Sequence, residues 1–273
     1  MNKLTVEPIG GLANRMRVIS AGRALAHRSD LPLHVNWVLD PSCNCSFTEL
    51  FETPLGVVVH EIDHSRMPNR LFHRVMPLRV RFSGGCYMGP HDFEKILPNI
   101  DFKNFSDDVN GPLYLATCFE FVSGNLPVLV PNKLLQQQIE TMTAGFDEHV
   151  VGVHIRRSDN SKSCMNSPTS TFVTLMRNEL ELNPEICFFL ATDSLDEEDE
   201  LQRLFPGKIL VHSKQSLNRN EPDAIKDAVI DLYCLARATK IIGSFWSSFS
   251  EVASYLGNKE LIVACDLTIQ TNK

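Results

Sequence analysis

The run Val151-Gly152-Val153-His154-Ile155-Arg156-Arg157-Ser158-Asp159 closes an apolar stretch with an imidazole, two guanidiniums and a carboxylate. Alternation along a strand predicts His154 and Arg156 on one face and Val151, Val153 and Ile155 on the other. Polar groups at the carboxyl end of a strand stand where open α/β sheets bind ligands, and the planar arginine fork fits phosphate. The plainer alternative is an exposed arginine pair held by Asp159, a contribution of about 0–1 kcal/mol.

Two further patches carry the same kind of chemistry. Gly10-Gly11-Leu12-Ala13-Asn14-Arg15 lies where a strand hands over to a helix, and glycines there let an anion approach free amides. The run lacks the spacing of a dinucleotide fingerprint, so an oxidoreductase reading is weak. Asn14 is either a cleft residue or a helix cap. Near the other end, Gly243-Ser244-Phe245-Trp246-Ser247-Ser248-Phe249 sets small hydroxyls before a helix whose free amides suit phosphate, unless Ser247 or Ser248 merely caps it. Asp231 falls at the edge of the stripe Ile225, Ala228, Val229, Leu232, Leu235 and Ala236, either reaching into a cleft or solvated. Ala191-Thr192-Asp193-Ser194 ends another strand and either lines the site or caps the following helix.

The elements that must position these residues follow from periodicity. A strand at 4–6 leads through the glycine turn into a helix over 12–27; strands follow at 34–38 and 56–61, with a loop at 39–50. Residues 63–110, with Arg66, Arg70, Arg74, Arg79 and Arg81, show no clear period. Strand-like residues resume at 111–121 and a helix spans 132–143. The second half alternates strands at 150–155, 186–191, 208–212, 239–243 and 260–264 with helices at 169–182, 195–205, 222–237 and 247–256, the pattern of a parallel doubly wound sheet. The expected organisation is two α/β domains, 1–145 and 146–273.

At 273 residues, with 43% hydrophobic and 22% charged side chains, the chain can bury a full core. A net charge of -7 argues against a nucleic-acid partner. No apolar stretch reaches the length of a membrane span, and no secretory leader is visible. The eight cysteines are scattered, several in apolar runs, which fits a reducing, cytoplasmic setting; none completes a zinc-ligand pattern.

Four motifs in order, Gly11 to Asn14, His154 to Asp159, Ala191 to Asp193 and Ser247 to Phe249, resemble the fucosyltransferase-like superfamily, which includes the α-1,2 and α-1,6 fucosyltransferases, the nodulation fucosyltransferases and the protein O-fucosyltransferases. The resemblance covers nearly the whole chain. It implies a GT-B-like fold of two facing Rossmann-like domains with parallel sheets, an amino-terminal domain on the acceptor side and a carboxyl-terminal domain for the nucleotide sugar. It further implies inverting transfer of fucose from GDP-fucose to an oligosaccharide or glycoconjugate, with no metal or other cofactor. Carried over, Arg156 grips the β-phosphate with His154 and Arg157 in support, Asp231 reads guanine, and Ser247, Ser248 and Phe249 line the phosphate and base pocket. Gly10, Gly11 and Asp193 complete the donor contacts, and Asn14 stands near the reacting sugar.

One departure matters: where α-1,6 enzymes carry the glutamate that resembles their general base, Ser161 to Pro168 contains no carboxylate. Asp159 is the nearest candidate base. The alternatives are a binding protein of the same fold that has lost catalysis, or a transferase with another nucleotide sugar.

Overall fold

A computed structural model describes residues 3–63, 69–92, 111–122, 129–158 and 160–265. Asp159 lies outside the described residues. Two compact units emerge, one of residues 1–133 with 219–225, the other of 134–218 with 226–273. Each is built on a five-stranded, wholly parallel sheet.

In the first unit the strands β1 (Leu4–Pro8), β2 (Leu33–Leu39), β3 (Val57–Asp63), β4 (Cys86–Met88) and β5 (Leu113–Thr117) run in the order β3-β2-β1-β5-β4. Helix α1 (Leu12–Arg28) follows β1, and its inward residues Met16, Val18, Ile19 and Leu25 are buried. Three elements of this unit were not read from sequence, among them the short strand β4 within the stretch 63–110. The expected loop at 39–50 contains a single helical turn, α2 (Phe47–Leu50), whose Phe47 packs edge-on against Trp37. In the stretch without period lies α3 (Asn69–Phe82), which carries Pro77 inside it and basic residues in its last turn, where they suit the helix dipole.

The segment 219–225 belongs to this unit through Asn44: its backbone N–H donates to Arg219 O at 3.3 Å and its side-chain amide to Asn220 O at 2.9 Å.

The second unit follows the expected alternation, with one short helix at Ser161–Asn166 that was not read from sequence. Helix α4 (Lys133–Thr143) leads into β6 (Val150–Ile155); then come α5 (Ser161–Asn166), α6 (Thr169–Leu182), β7 (Cys187–Thr192), α7 (Leu195–Leu204), β8 (Ile209–Val211), α8 (Pro222–Arg237), β9 (Ile241–Ser244), α9 (Ser248–Gly257) and β10 (Leu261–Ala264). The strand order β10-β9-β6-β7-β8 reverses direction between β6 and β9. Both central strands are buried throughout, as continuous apolar strands in a parallel sheet should be, and Val153, Ile155, Phe172, Phe188, Leu190 and Ile242 form the core beneath them. Among the described residues no helix is long and apolar enough to cross a membrane.

Candidate functional site

Strand order points to one place first. In a doubly wound sheet the loops leaving the two strands at the reversal part from each other, and the crevice so formed opens at their carboxyl ends. In the second unit those strands are β6 and β9, and the residues leaving them are Arg156, Arg157 and Phe245 to Ser248.

Local packing makes the two ends one structure. Ser244 Oγ accepts the Arg156 N–H at 2.9 Å and donates to His154 O at 3.2 Å. Gly243 has no side chain where α9 crosses it; a Cβ there would fall 2.5 Å from Ser250 Oγ. This close approach lets Ser250 Oγ meet His154 Nδ1 at 2.7 Å and lets Phe249 stack on the His154 ring, with centroids 4.7 Å apart. The His154 ring is buried against α9. Because β6 ends at Ile155, strand alternation does not extend to Arg156, whose guanidinium turns toward Asp193 with Nε 3.7 Å from Oδ2.

Helix α9 begins without a side-chain cap. Ser247 occupies the cap position, but its hydroxyl makes no capping bond, so the plain-capping alternative fails there. The amides of the first turn are therefore left to other partners, and with the helix dipole they favour an anion.

Asp193 organises the loop after β6. Its Oδ1 accepts the Arg157 N–H at 2.7 Å and its Oδ2 the Ser158 hydroxyl at 2.6 Å. Burial raises its pKa, but the Ser158 and Arg157 bonds and the charges of Arg156 and His154 outweigh burial and hold the carboxyl below its ordinary value. The neighbouring helix α7 is capped by Ser194, not by Asp193.

Arg157 points into the protein. Its Nε donates to Glu197, Nη1 to Arg156 O at 3.1 Å and Ser167 O at 3.0 Å, and Nη2 to Thr169 Oγ1 at 3.2 Å. Ser167 Oγ in turn accepts the Phe245 N–H at 2.8 Å. One guanidinium thus ties the loops after β6 and β9 to α6 and α7.

Asp231 is not a solvated edge residue. It is 4% exposed on a helix buried nearly all round, and its Oδ2 lies 3.3 Å from Lys214 Nζ. Its Oδ1 has no hydrogen-bond partner among the described residues. Burial pushes the carboxyl up to about 6, against the pull of Lys214 and His212. One turn earlier Asp227 binds His212 Nε2 at 3.0 Å and the Gln215 N–H at 2.7 Å. An unpartnered buried carboxylate is costly unless something supplies its donors.

In the first unit the turn after β1 is held by a residue the sequence did not single out. Arg15 is fully buried; it donates to Gly10 O at 2.7 Å, Val38 O at 2.5 Å and Asp40 Oδ2 at 2.8 Å, and it lies over the Trp37 ring. Gly10 takes φ +86, which its lack of Cβ permits. The cap position of α1 is Gly11, so Asn14 is not the cap; its amide folds back over Gly10 inside the first turn. Arg219 Nη1 lies 3.7 Å from where a Gly11 Cβ would stand.

Compared with solved structures, the chain aligns over 93% of its length with 92% of the NodZ α-1,6-fucosyltransferase co-crystallised with GDP, at TM-score 0.65 and 17% identity. The fucosyltransferase NodZ from Bradyrhizobium, in another crystal, gives TM-score 0.64 at 17% identity, with 93% and 92% of the two chains covered. This chain has the fucosyltransferase-like fold. The same fold appears in POFUT1 in complex with GDP (TM-score 0.54, 14% identity, 96% of this chain and 98% of that one). A variant of Arabidopsis thaliana FUT1 in complex with GDP gives TM-score 0.61 at 13% identity, covering 96% of this chain and 70% of that one. No family profile and no curated protein matches the sequence.

Within the fucosyltransferase-like fold, the second unit brings together His154, Arg156, Arg157, Asp193, Ser247, Ser248 and Phe249 around the β6 and β9 ends. Gly10, Gly11 and Asn14 gather at the β1 turn of the first unit. Ser167, Glu197 and Lys214 were not singled out, since single polar residues scattered through loops and helices give no spacing signal. Among the described residues, no three His, Cys, Asp or Glu side chains cluster as a metal site.

Proposed function

We propose that the protein transfers fucose from GDP-fucose to a saccharide acceptor with inversion at the anomeric carbon. The observation that carries this is the joined β6–β9 end, where the Arg156 N–H is bonded to Ser244 Oγ, three residues before Ser247, the cap position of α9 that makes no side-chain capping bond. A guanidinium and a helix terminus are a phosphate grip that uses protein charge, which supports a reaction without a divalent metal. The acceptor hydroxyl attacks the anomeric carbon while the bond to the β-phosphate oxygen breaks, and GDP leaves with the electron pair. Arg156 stabilises the charge that grows on that oxygen, more in the transition state than before it.

His154, locked by Ser250 and Phe249, shapes the wall of this grip, and Arg157 acts as a positioning residue through its ties to Glu197, Thr169 and Ser167. Asp193 sets the loop from which Arg156 projects. Asp231 accepts the two N–H donors on the guanine edge. That bound GDP in NodZ and POFUT1 structures of the same fold supports the donor assignment. The first unit serves the acceptor, with Asn14 near the reacting sugar and Asp159 the proposed base. The buried free thiols Cys43 and Cys234 support a reducing, cytoplasmic setting.

Calorimetric titration with GDP and with UDP, in buffer containing a chelator, tests the reading. GDP binds selectively to the wild-type chain and weakly to Arg156→Ala. A preference for UDP, or equal binding by the variant, overturns it.

A further inference from the structure

Of the two tryptophans, Trp37 is fully buried and Trp246 is 57% exposed. Trp246 also takes φ 54, the left-handed region that a bulky residue enters at a cost. The surroundings hold it there. Asn160 Nδ2 donates to Trp246 O at 2.9 Å, and the preceding Phe245 N–H is fixed on Ser167 Oγ at 2.8 Å. Lys162 Nζ lies 4.8 Å from the indole centroid and orients the ring. A strained backbone, two fixed peptide groups and a cation are thus arranged around an indole that leans on Phe245 yet leaves more than half of the residue exposed. Packing does not explain it.

We propose that Trp246 is a stacking platform for a pyranose ring of the acceptor saccharide. A pyranose with equatorial substituents presents a flat face of C–H bonds, which an indole face covers while its N–H and the Lys162 ammonium meet hydroxyls at the rim. Position identifies the acceptor. This inference rests on the transferase reading above, in which the diphosphate sits at the amino end of α9. Trp246 immediately precedes the cap residue Ser247 of that helix. The transferred sugar hangs from the β-phosphate, and the acceptor must come to its anomeric carbon, so a sugar platform one residue from the phosphate grip stands where the two saccharides meet.

Because Trp37 is buried, collisional quenching by acrylamide reports chiefly on Trp246. The protein is titrated with a β-linked N-acetylglucosamine tetramer, with lactose, with GDP and with GDP-fucose, and GDP and saccharide affinities of the wild-type and variant chains are measured separately by calorimetry. The expected result is protection from acrylamide and a blue-shifted emission with at least one of the two saccharides, a signal that Trp246→Phe, which lacks the fluorophore, assigns to Trp246. In Trp246→Gly, which relaxes the left-handed backbone, GDP affinity stays within about twofold while saccharide affinity falls about tenfold or more. If GDP binds but neither saccharide protects Trp246, the platform is overturned. Protection by GDP-fucose alone overturns it as well, assigning the indole to the donor sugar. Loss of saccharide binding only through unfolding of Trp246→Gly, seen as lost GDP binding, shows a structural role instead. Failure of the wild-type chain to bind GDP refutes the transferase reading, whereas the saccharide response is read independently of it.

Discussion

Replacing Asp231 by Asn tests base recognition with little change of shape. Asp231 is 4% exposed, its Oδ2 faces Lys214 Nζ at 3.3 Å, and its Oδ1 lacks a partner among the described residues. If the carboxylate accepts guanine N1–H and the exocyclic N2–H, each bond to a charged group contributes about 1.5–3 kcal/mol. Asparagine keeps one acceptor and turns an N–H toward N2–H, so GDP should weaken about 10- to 150-fold. Xanthosine diphosphate carries a carbonyl in place of the N2 amine, which the new N–H can meet and the original carboxylate repels. Leaving Lys214 unpaired costs the same with either nucleotide and cancels from their ratio. Calorimetry should therefore move the GDP to xanthosine diphosphate affinity ratio by about 100-fold or more. An unchanged ratio would refute the assignment, whatever happened to absolute affinity.

The buried Asp231 carboxyl also predicts opposite pH trends for stability and binding. Its pKa is pushed by burial from 3.8 up to about 6, so its contribution to stability is full below 3.8 and is lost as pH rises through about 6. Affinity for GDP-fucose, a diester without its own titration in that range, should instead fall as pH drops through about 6, and Asp231→Asn should flatten this dependence. Arg157→Met removes the partner of Glu197 and the bonds to Ser167 and Thr169; breaking such a pair costs about 3–5 kcal/mol, enough to lower the second unit's melting temperature by about 10 °C in calorimetric scans. A shift within about 2 °C would make the network decorative. Gly243→Ala puts a methyl 2.5 Å from Ser250 Oγ, so it should displace α9, separate Ser250 from His154 and weaken GDP more than it lowers stability; unchanged GDP affinity would contradict the coupling.

Regular alternation made the second unit readable, because each βα step there carries a continuous apolar strand and an amphipathic helix. Helix α3 escaped although its apolar residues keep a helical spacing, because Pro77 inside it and the arginines between them make the stretch read as broken and solvated. The site was legible where polar residues follow a strand, as at His154 to Arg157 and Ser247 to Phe249. Strand alternation could not fix the direction of Arg156, because the strand stops one residue earlier, and wheel geometry placed Asp231 at an edge although neighbouring elements cover it. Arg15 was unreadable for a different reason: two of its acceptors, Gly10 O and Val38 O, are backbone groups that no residue type announces, and another, Asp40, is remote in sequence.

Residues 219–225 complete the first unit although the chain has by then left it at 133 and built most of the second sheet. On the ribosome the amino-terminal half cannot finish first; its Asn44 contacts wait until Arg219 and Asn220 have been synthesised. The two halves therefore mature together. A gene cut between them would leave the first unit without its closing segment and the second carrying that segment apart from the Asn44 surface it meets.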